Sequence, residues 1–152
     1  MLFVHQSVIA APVHAVFAFH ERPDALRLLT PPWEPVQVIR AAPSLQPGER
    51  ALIKVKLGPV WIEWEAEHTR YEKDVLFQDK QVRGPFRRWL HTHHMSPVEG
   101  GTLLRDEVDL ELPFGLLARP AWPLVRGKLE RMFAHRHAVT REACSGLPHD
   151  LP

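Results

Sequence analysis

The chain has 152 residues, 45% hydrophobic and 24% charged, with a formal net charge of +1. That length suits one domain with a buried core or an enclosed cavity, and the composition is that of a globular chain. A charge so close to zero excludes an overall field steering the molecule to nucleic acid or an anionic membrane, and the single cysteine, Cys144, excludes an internal disulfide.

Met1 to Ala10 is apolar but lacks a positively charged start, and Pro12 and His14 interrupt it, so it does not read as a signal peptide. No stretch approaches the roughly 18 apolar residues needed to span a bilayer. The expectation is a cytoplasmic chain without stable membrane insertion. The prolines fall mostly at junctions, as their missing backbone donor requires.

Residues 2–9 alternate weakly and predict a first strand. Pro12 suits the first position of a helix carrying Val13, Val16, Phe17 and His20. Arg22-Pro23-Asp24 ends it, and Asp24 is placed to cap a second short helix with Leu26, Leu28 and Leu29. From Trp33 to Leu112 the period is two. Val36, Val38 and Ile39 predict a short strand, and Pro47-Gly48 a turn. Ala51, Ile53, Val55 and Leu57 share one face of the next strand. Beyond Gly58-Pro59, Ile62, Trp64, Ala66 and His68 face one way and Trp61, Glu63, Glu65 and Glu67 the other, as in a sheet with one wet face. Trp61, facing out, is a candidate homodimer contact.

Residues 75–83 and 86–96 predict two more strands, separated by Gly84-Pro85. Glu99-Gly100-Gly101 is a hairpin signal before a last strand, 102–112, with Leu104, Asp106, Val108 and Leu110 on one face. After Pro113 the period returns to 3.6, placing Leu129, Met132, Phe133, Arg136 and Val139 on one stripe of a helix from about 120 to 143. The expected architecture is α+β: a curved antiparallel sheet of about seven strands around a long C-terminal helix, with two short helices after strand one. Residues 1–144 form the domain, and 145–152, with Cys144 beside them, a frayed tail.

The densest polar signal is Asp79, Gln81, His91, His93 and Asp106, which the alternation points inward. Buried charges must be paired, so these side chains bond one another or a ligand. Three readings follow: a network fixing strand register, a set of groups orienting a ligand, or acid–base catalysis. His91-x-His93 also has the spacing of a metal pair on a strand, but ten histidines produce such pairs by chance, and no metal is expected. Arg136 is expected to pack its stem and pair its head with Asp106 or Asp79, or to anchor a ligand carboxylate or phosphate. Among the tryptophans, Trp64 and Trp89 are the expected cavity walls, facing Phe133.

The last helix is basic, with Arg119, Arg126, Lys128, Arg131, Arg136 and Arg141 against Glu130 and Glu142. Without an accompanying recognition motif it reads as a solvated face, and no nucleic-acid partner is expected. There is no Gly-x-Ser-x-Gly motif and no phosphate loop.

Ile9-Ala-Ala-Pro-Val-His-Ala-Val-Phe17 resembles the passage from strand one into helix one of the START-like, or SRPBCC, superfamily. This superfamily contains pollen-allergen-like carriers, lipid-transfer domains and polyketide cyclases. Phe77 to Gln81, Gly84-Pro-Phe86, Trp89 to His93, Gly100-Gly-Thr102, Asp106 and Leu112-Pro113 are similar to a bacterial ligand-binding branch of it. The resemblance covers roughly residues 3–143. It implies a helix-grip fold with a cavity between the sheet and the terminal helix. The expected occupant is a small hydrophobic or amphipathic molecule (a lipid, an aromatic or a polyketide), touched by Trp64, Asp79, Gln81, Trp89, His91, His93, Asp106, Phe133 and Arg136. No cofactor is expected. The alternatives are a cyclase- or dehydratase-like enzyme using the cavity histidines and acids, and an interaction module using a sheet edge or the basic helix.

Overall fold

A computed structural model describes residues 1–145. The chain runs β1 (Leu2–Ile9), α1 (Val13–His20), α2 (Ala25–Leu29), β2 (Val36–Arg40), β3 (Arg50–Leu57), β4 (Val60–Glu72), β5 (Leu76–Arg83), β6 (Arg88–Val98), β7 (Gly101–Glu111) and α3 (Trp122–Cys144). A 3-10 helix, Gly115–Ala121, leads into α3 and holds Pro120, so the long helix begins two residues later than the sequence pattern suggests. The strands form one antiparallel sheet in the order β1-β7-β6-β5-β4-β3-β2.

The sheet follows the period-two pattern. On β7, Thr102, Leu104, Asp106, Val108 and Leu110 are buried and every intervening residue is only half-buried. On α3, Leu129, Phe133, His137, Thr140 and Cys144 are buried, which is one stripe at helical spacing. Gly101 turns the chain into β7 at φ +143°, and a Cβ there would collide with the Ile9 carbonyl.

The core has two apolar parts. One packs α1 onto the sheet through Ile9, Phe17, Phe77, Met95, Leu104 and Cys144, and the other packs α3 through Phe3, Trp89, Val108, Leu110, Leu129 and Phe133. Between them along β6 and β7 stand His91, His93 and Asp106, all buried. The polar residues are thus built into the core.

Three expectations are corrected. Asp24 makes no capping bond to α2; its carboxylate takes a two-pronged bond from Arg22. Pro12 stands one position before the first helical residue. Cys144, expected beside a frayed terminus, is fully buried at the end of α3, against the Ala15 carbonyl. Ser145 closes α3, its N–H donating to the Arg141 carbonyl, while 146–152 lie outside the described residues. No helix among the described residues is long and apolar enough to cross a membrane.

Candidate functional site

A cavity of about 610 Å³ opens between the inner face of the sheet and the helices α2 and α3. Ala51, Ile53 and Val55 of β3 and Trp64, Ala66 and His68 of β4 line one side. Leu26 and Leu29 of α2 and Val125, Leu129, Met132 and Arg136 of α3 line the other. Phe114, Ala118 and Ala121, around the 3-10 helix, also border it. Trp64 and Trp89 meet edge to face with centroids 5.0 Å apart, a favoured aromatic geometry.

The lining also has polar groups, among them Asp79 of β5 and His91 and His93 of β6. Strand register creates the group. Asp79 is the β5 partner of His91, and Asp106 is the β7 partner of His93. His91 and His93, two apart on β6, point the same way and lie with ring centroids 3.8 Å apart.

Asp106 anchors the cluster. His91 Nε2 donates to its Oδ1 at 2.8 Å, and His137 Nε2 donates to its Oδ2 at 2.6 Å. His93 Nδ1 lies 2.7 Å from the same Oδ1, but off the line of a proper hydrogen bond. The tautomers follow from these bonds. His137 carries its proton on Nε2, so its Nδ1 accepts from the Ser7 hydroxyl at 2.6 Å. His91 likewise keeps Nδ1 bare, and that atom faces Asp79 Oδ2 at 3.9 Å.

Burial alone would raise the pKa of the Asp106 carboxyl. His93, His137 and His91 outweigh it and hold that pKa well below the ordinary carboxylate range. Asp79 is lowered in the same way, burial being overcome by His93 and His91. Burial and the neighbouring His93 push His91 down, despite Asp106. His93 goes the other way: burial opposes its charge, but Asp106 and Asp79 prevail and raise it.

The remaining expected residues divide. Trp64, Trp89 and Arg136 line the cavity. Phe133 is fully buried beneath it, with its ring edge-on to His91, and is not on the lining. Gln81 is also off the lining: its amide donates to the Phe86 carbonyl at 2.6 Å and accepts from the Phe86 N–H, clamping the turn from β5 to β6. Arg136 bonds neither Asp106 nor Asp79. Its guanidinium stands over the Phe133 ring at 5.3 Å, and its Nε has no partner among the described residues. Burial lowers its pKa.

Sequence reasoning did not see His137, and it left His20 and His68 out of the expected site although it placed both on apolar faces. His137 follows Phe133 by four residues, so the same 3.6-residue stripe that placed Phe133 inward could have found it. His20 is buried at the end of α1, its Nδ1–H bonded to the Val16 carbonyl, and both His20 and His68 border the cavity. Among the described residues, Asp79, His91 and His93 also have donor atoms near enough together, within 4.8 Å, to share a metal ion.

A curved seven-stranded antiparallel sheet holding a long helix, with a cavity between them, defines this protein as a helix-grip domain. The chain belongs to the family described as polyketide cyclase / dehydrase and lipid transport, whose model matches residues 9–137. No curated protein sequence matches it. Among solved structures it is similar to TTHA0849 from Thermus thermophilus, at 15% identity and a TM-score of 0.73, over 95% of this chain and 97% of that one. It is also similar to part of the nucleoside-diphosphate sugar epimerase from Corynebacterium glutamicum, at 26% identity and a TM-score of 0.74. That match covers 92% of this chain but only 28% of the epimerase. A third similarity is to StfQ, the di-domain aromatase/cyclase of the steffimycin biosynthetic pathway, at 12% identity and a TM-score of 0.73, over 94% of this chain and 50% of that one.

Proposed function

We propose that this protein binds a small amphipathic molecule, with its apolar body between β3, β4 and α3 and its polar head toward Arg136. The observation that carries this reading is the lining itself. Most of it is aliphatic or aromatic, with a minority of polar groups that includes Asp79, His91, His93 and Arg136, which is the design of a pocket that grips by burial and orients by a few polar contacts. Arg136 contributes a cation with no ion-pair partner among the described residues, suited to a carboxylate, enolate or phosphate oxygen. Native mass spectrometry of protein purified from its own host is expected to show a co-purifying small molecule. An apolar probe dye should bind and be displaced by a long-chain carboxylate, less effectively so in Arg136→Met. If no apolar probe binds the wild type, the reading fails.

One observation favours a second reading, acid–base chemistry of a cyclase or dehydratase kind. His91 lines the cavity and its Nδ1 is bare while Asp106 holds its other nitrogen, the arrangement of an oriented general base. Exchange of the acidic protons of a bound β-diketone into D2O, followed by NMR, should then be fast and be lost in His91→Gln.

A further inference from the structure

We propose that Asp79, His91 and His93 bind one divalent first-row transition-metal ion, with Asp106 holding the His91 imidazole from behind. A neutral imidazole has one N–H and one lone pair. His91 spends its N–H on Asp106, so a lone pair remains on Nδ1, 3.9 Å from Asp79 Oδ2. His93 has a carboxylate oxygen at each ring nitrogen: Asp106 at 2.7 Å from Nδ1 and Asp79 at 3.6 Å from Nε2. With its proton toward the nearer acid, His93 presents a second lone pair to the same Asp79 oxygen. Two lone pairs and a carboxylate therefore converge on one point, and a cation there turns their repulsion into attraction.

The spacing is within reach of an ion. Ligands held at about 2.0–2.2 Å around a tetrahedral centre lie roughly 3.4 Å from one another. Asp79 Oδ2 stands 3.6 and 3.9 Å from the two histidines, and all three donor atoms lie within 4.8 Å, so the ion must draw the ligands together, the two imidazoles included. The support fits as well. A carboxylate behind a metal-binding histidine fixes its tautomer and ring orientation, and Asp106 does this for His91. Charge points the same way: with the imidazoles neutral, neither the half-buried Asp79 nor the buried Asp106 has an arginine or lysine ion-pair partner among the described residues. Two imidazoles and one carboxylate suit zinc, cobalt or iron(II) better than magnesium or calcium, which prefer all-oxygen sites. All three ligands line the cavity, so a remaining coordination position would open onto it.

The ion would occupy the lone pairs that a histidine base needs, so it competes with the catalytic reading but not with apolar binding. The experiment uses untagged full-length protein stripped with a chelator, titrated with Zn2+ by calorimetry and with Co2+ by its visible spectrum. One equivalent of each ion is expected to bind. Asp79→Asn and His93→Ala should each weaken binding by more than about 100-fold, and Asp106→Asn by about 10- to 100-fold with the stoichiometry kept. Asp79→Asn preserves the side-chain shape, so the test survives if a histidine variant fails to fold. The proposal is overturned if the stripped wild type takes up neither ion, with NMR showing His93 as an imidazolium instead. It is equally overturned if Asp79→Asn and His93→Ala bind as the wild type does, which would move the ion to other histidines.

Discussion

At the scale of single residues, Asp106 matters most to the core. Its position was legible from period two, because it alternates with Leu104, Val108 and Leu110, and its bond to His91 was expected from the same face. Its bond to His137 was not, because a helix stripe and a strand face meet only in three dimensions. Arg136, another of the expected donors, makes no hydrogen bond or ion pair with it; its guanidinium stands over the Phe133 ring. Replacing Asp106 by alanine leaves two buried imidazole N–H groups without acceptors, and is expected to destabilise by about 3 kcal/mol in urea melts. Asp106→Asn keeps an acceptor oxygen and should lose less. If both variants melt as the wild type does, Asp106 does not organise this core.

His20 makes a second residue-scale prediction, with a defined sign. Burial, and then the nearby His93, push its pKa from 6.5 to about 4. The titratable groups that bear on it are His93 on β6, Asp106 on β7 and His137 on α3. Between pH 6.5 and 4 the unfolded chain binds a proton that the folded chain refuses, so stability falls as the pH falls. A shift of this size corresponds to about 3 kcal/mol. His91, also lowered, acts in the same direction, whereas His93, raised, contributes stability below pH 6.5 that is lost as the pH rises through its folded value. Urea midpoints at pH 7.5 and pH 4.5 should differ clearly for the wild type and less for His20→Gln. An equal drop in both proteins would show that His20 is not the acid-sensitive group.

At the scale of elements, β1 and β7 were readable because buried and more exposed residues alternate along them, whereas β3 and β4 are half-buried on both faces, the inner one bordering the cavity. The turns carried glycine or proline, as at Gly58-Pro59 and Gly100-Gly101. What the pattern could not separate was a side chain that points inward from one that reaches the cavity. Gln81 shares its alternation with Phe77 and Asp79, but its amide is used by the turn that follows it. Gly84 belongs to the same device, since a Cβ there would run into the Gln81 side chain. Gln81→Ala removes both hydrogen bonds to Phe86 and is expected to destabilise by about 1–2 kcal/mol, with amide exchange rising locally at residues 84–87. Exchange that stays unchanged in this turn would mean that Gly84-Pro85 sets it without help.

At the scale of the whole molecule, the cavity is a consequence of small residues on a curved sheet. Ala51 and Ala66 face each other across β3 and β4 and both line it, so the sheet withholds volume where a packed core would carry leucine or phenylalanine. That choice separates an enclosing sheet from a solid one and can be tested by filling the space. Ala66→Phe adds a ring to the lining from a strand held on both sides. In a close-packed core such overpacking destabilises by about 1–3 kcal/mol. In a cavity of about 610 Å³ the ring has room, and the added burial should leave stability unchanged or slightly raised. The same ring takes space from any occupant, so affinity for an apolar dye is expected to fall at least about tenfold, equivalent to about 1.4 kcal/mol. Thermal melts and dye titrations of one variant therefore test both halves of the argument. A variant that binds dye as the wild type does would place the dye elsewhere, and one that loses about 3 kcal/mol would mean the space is already filled.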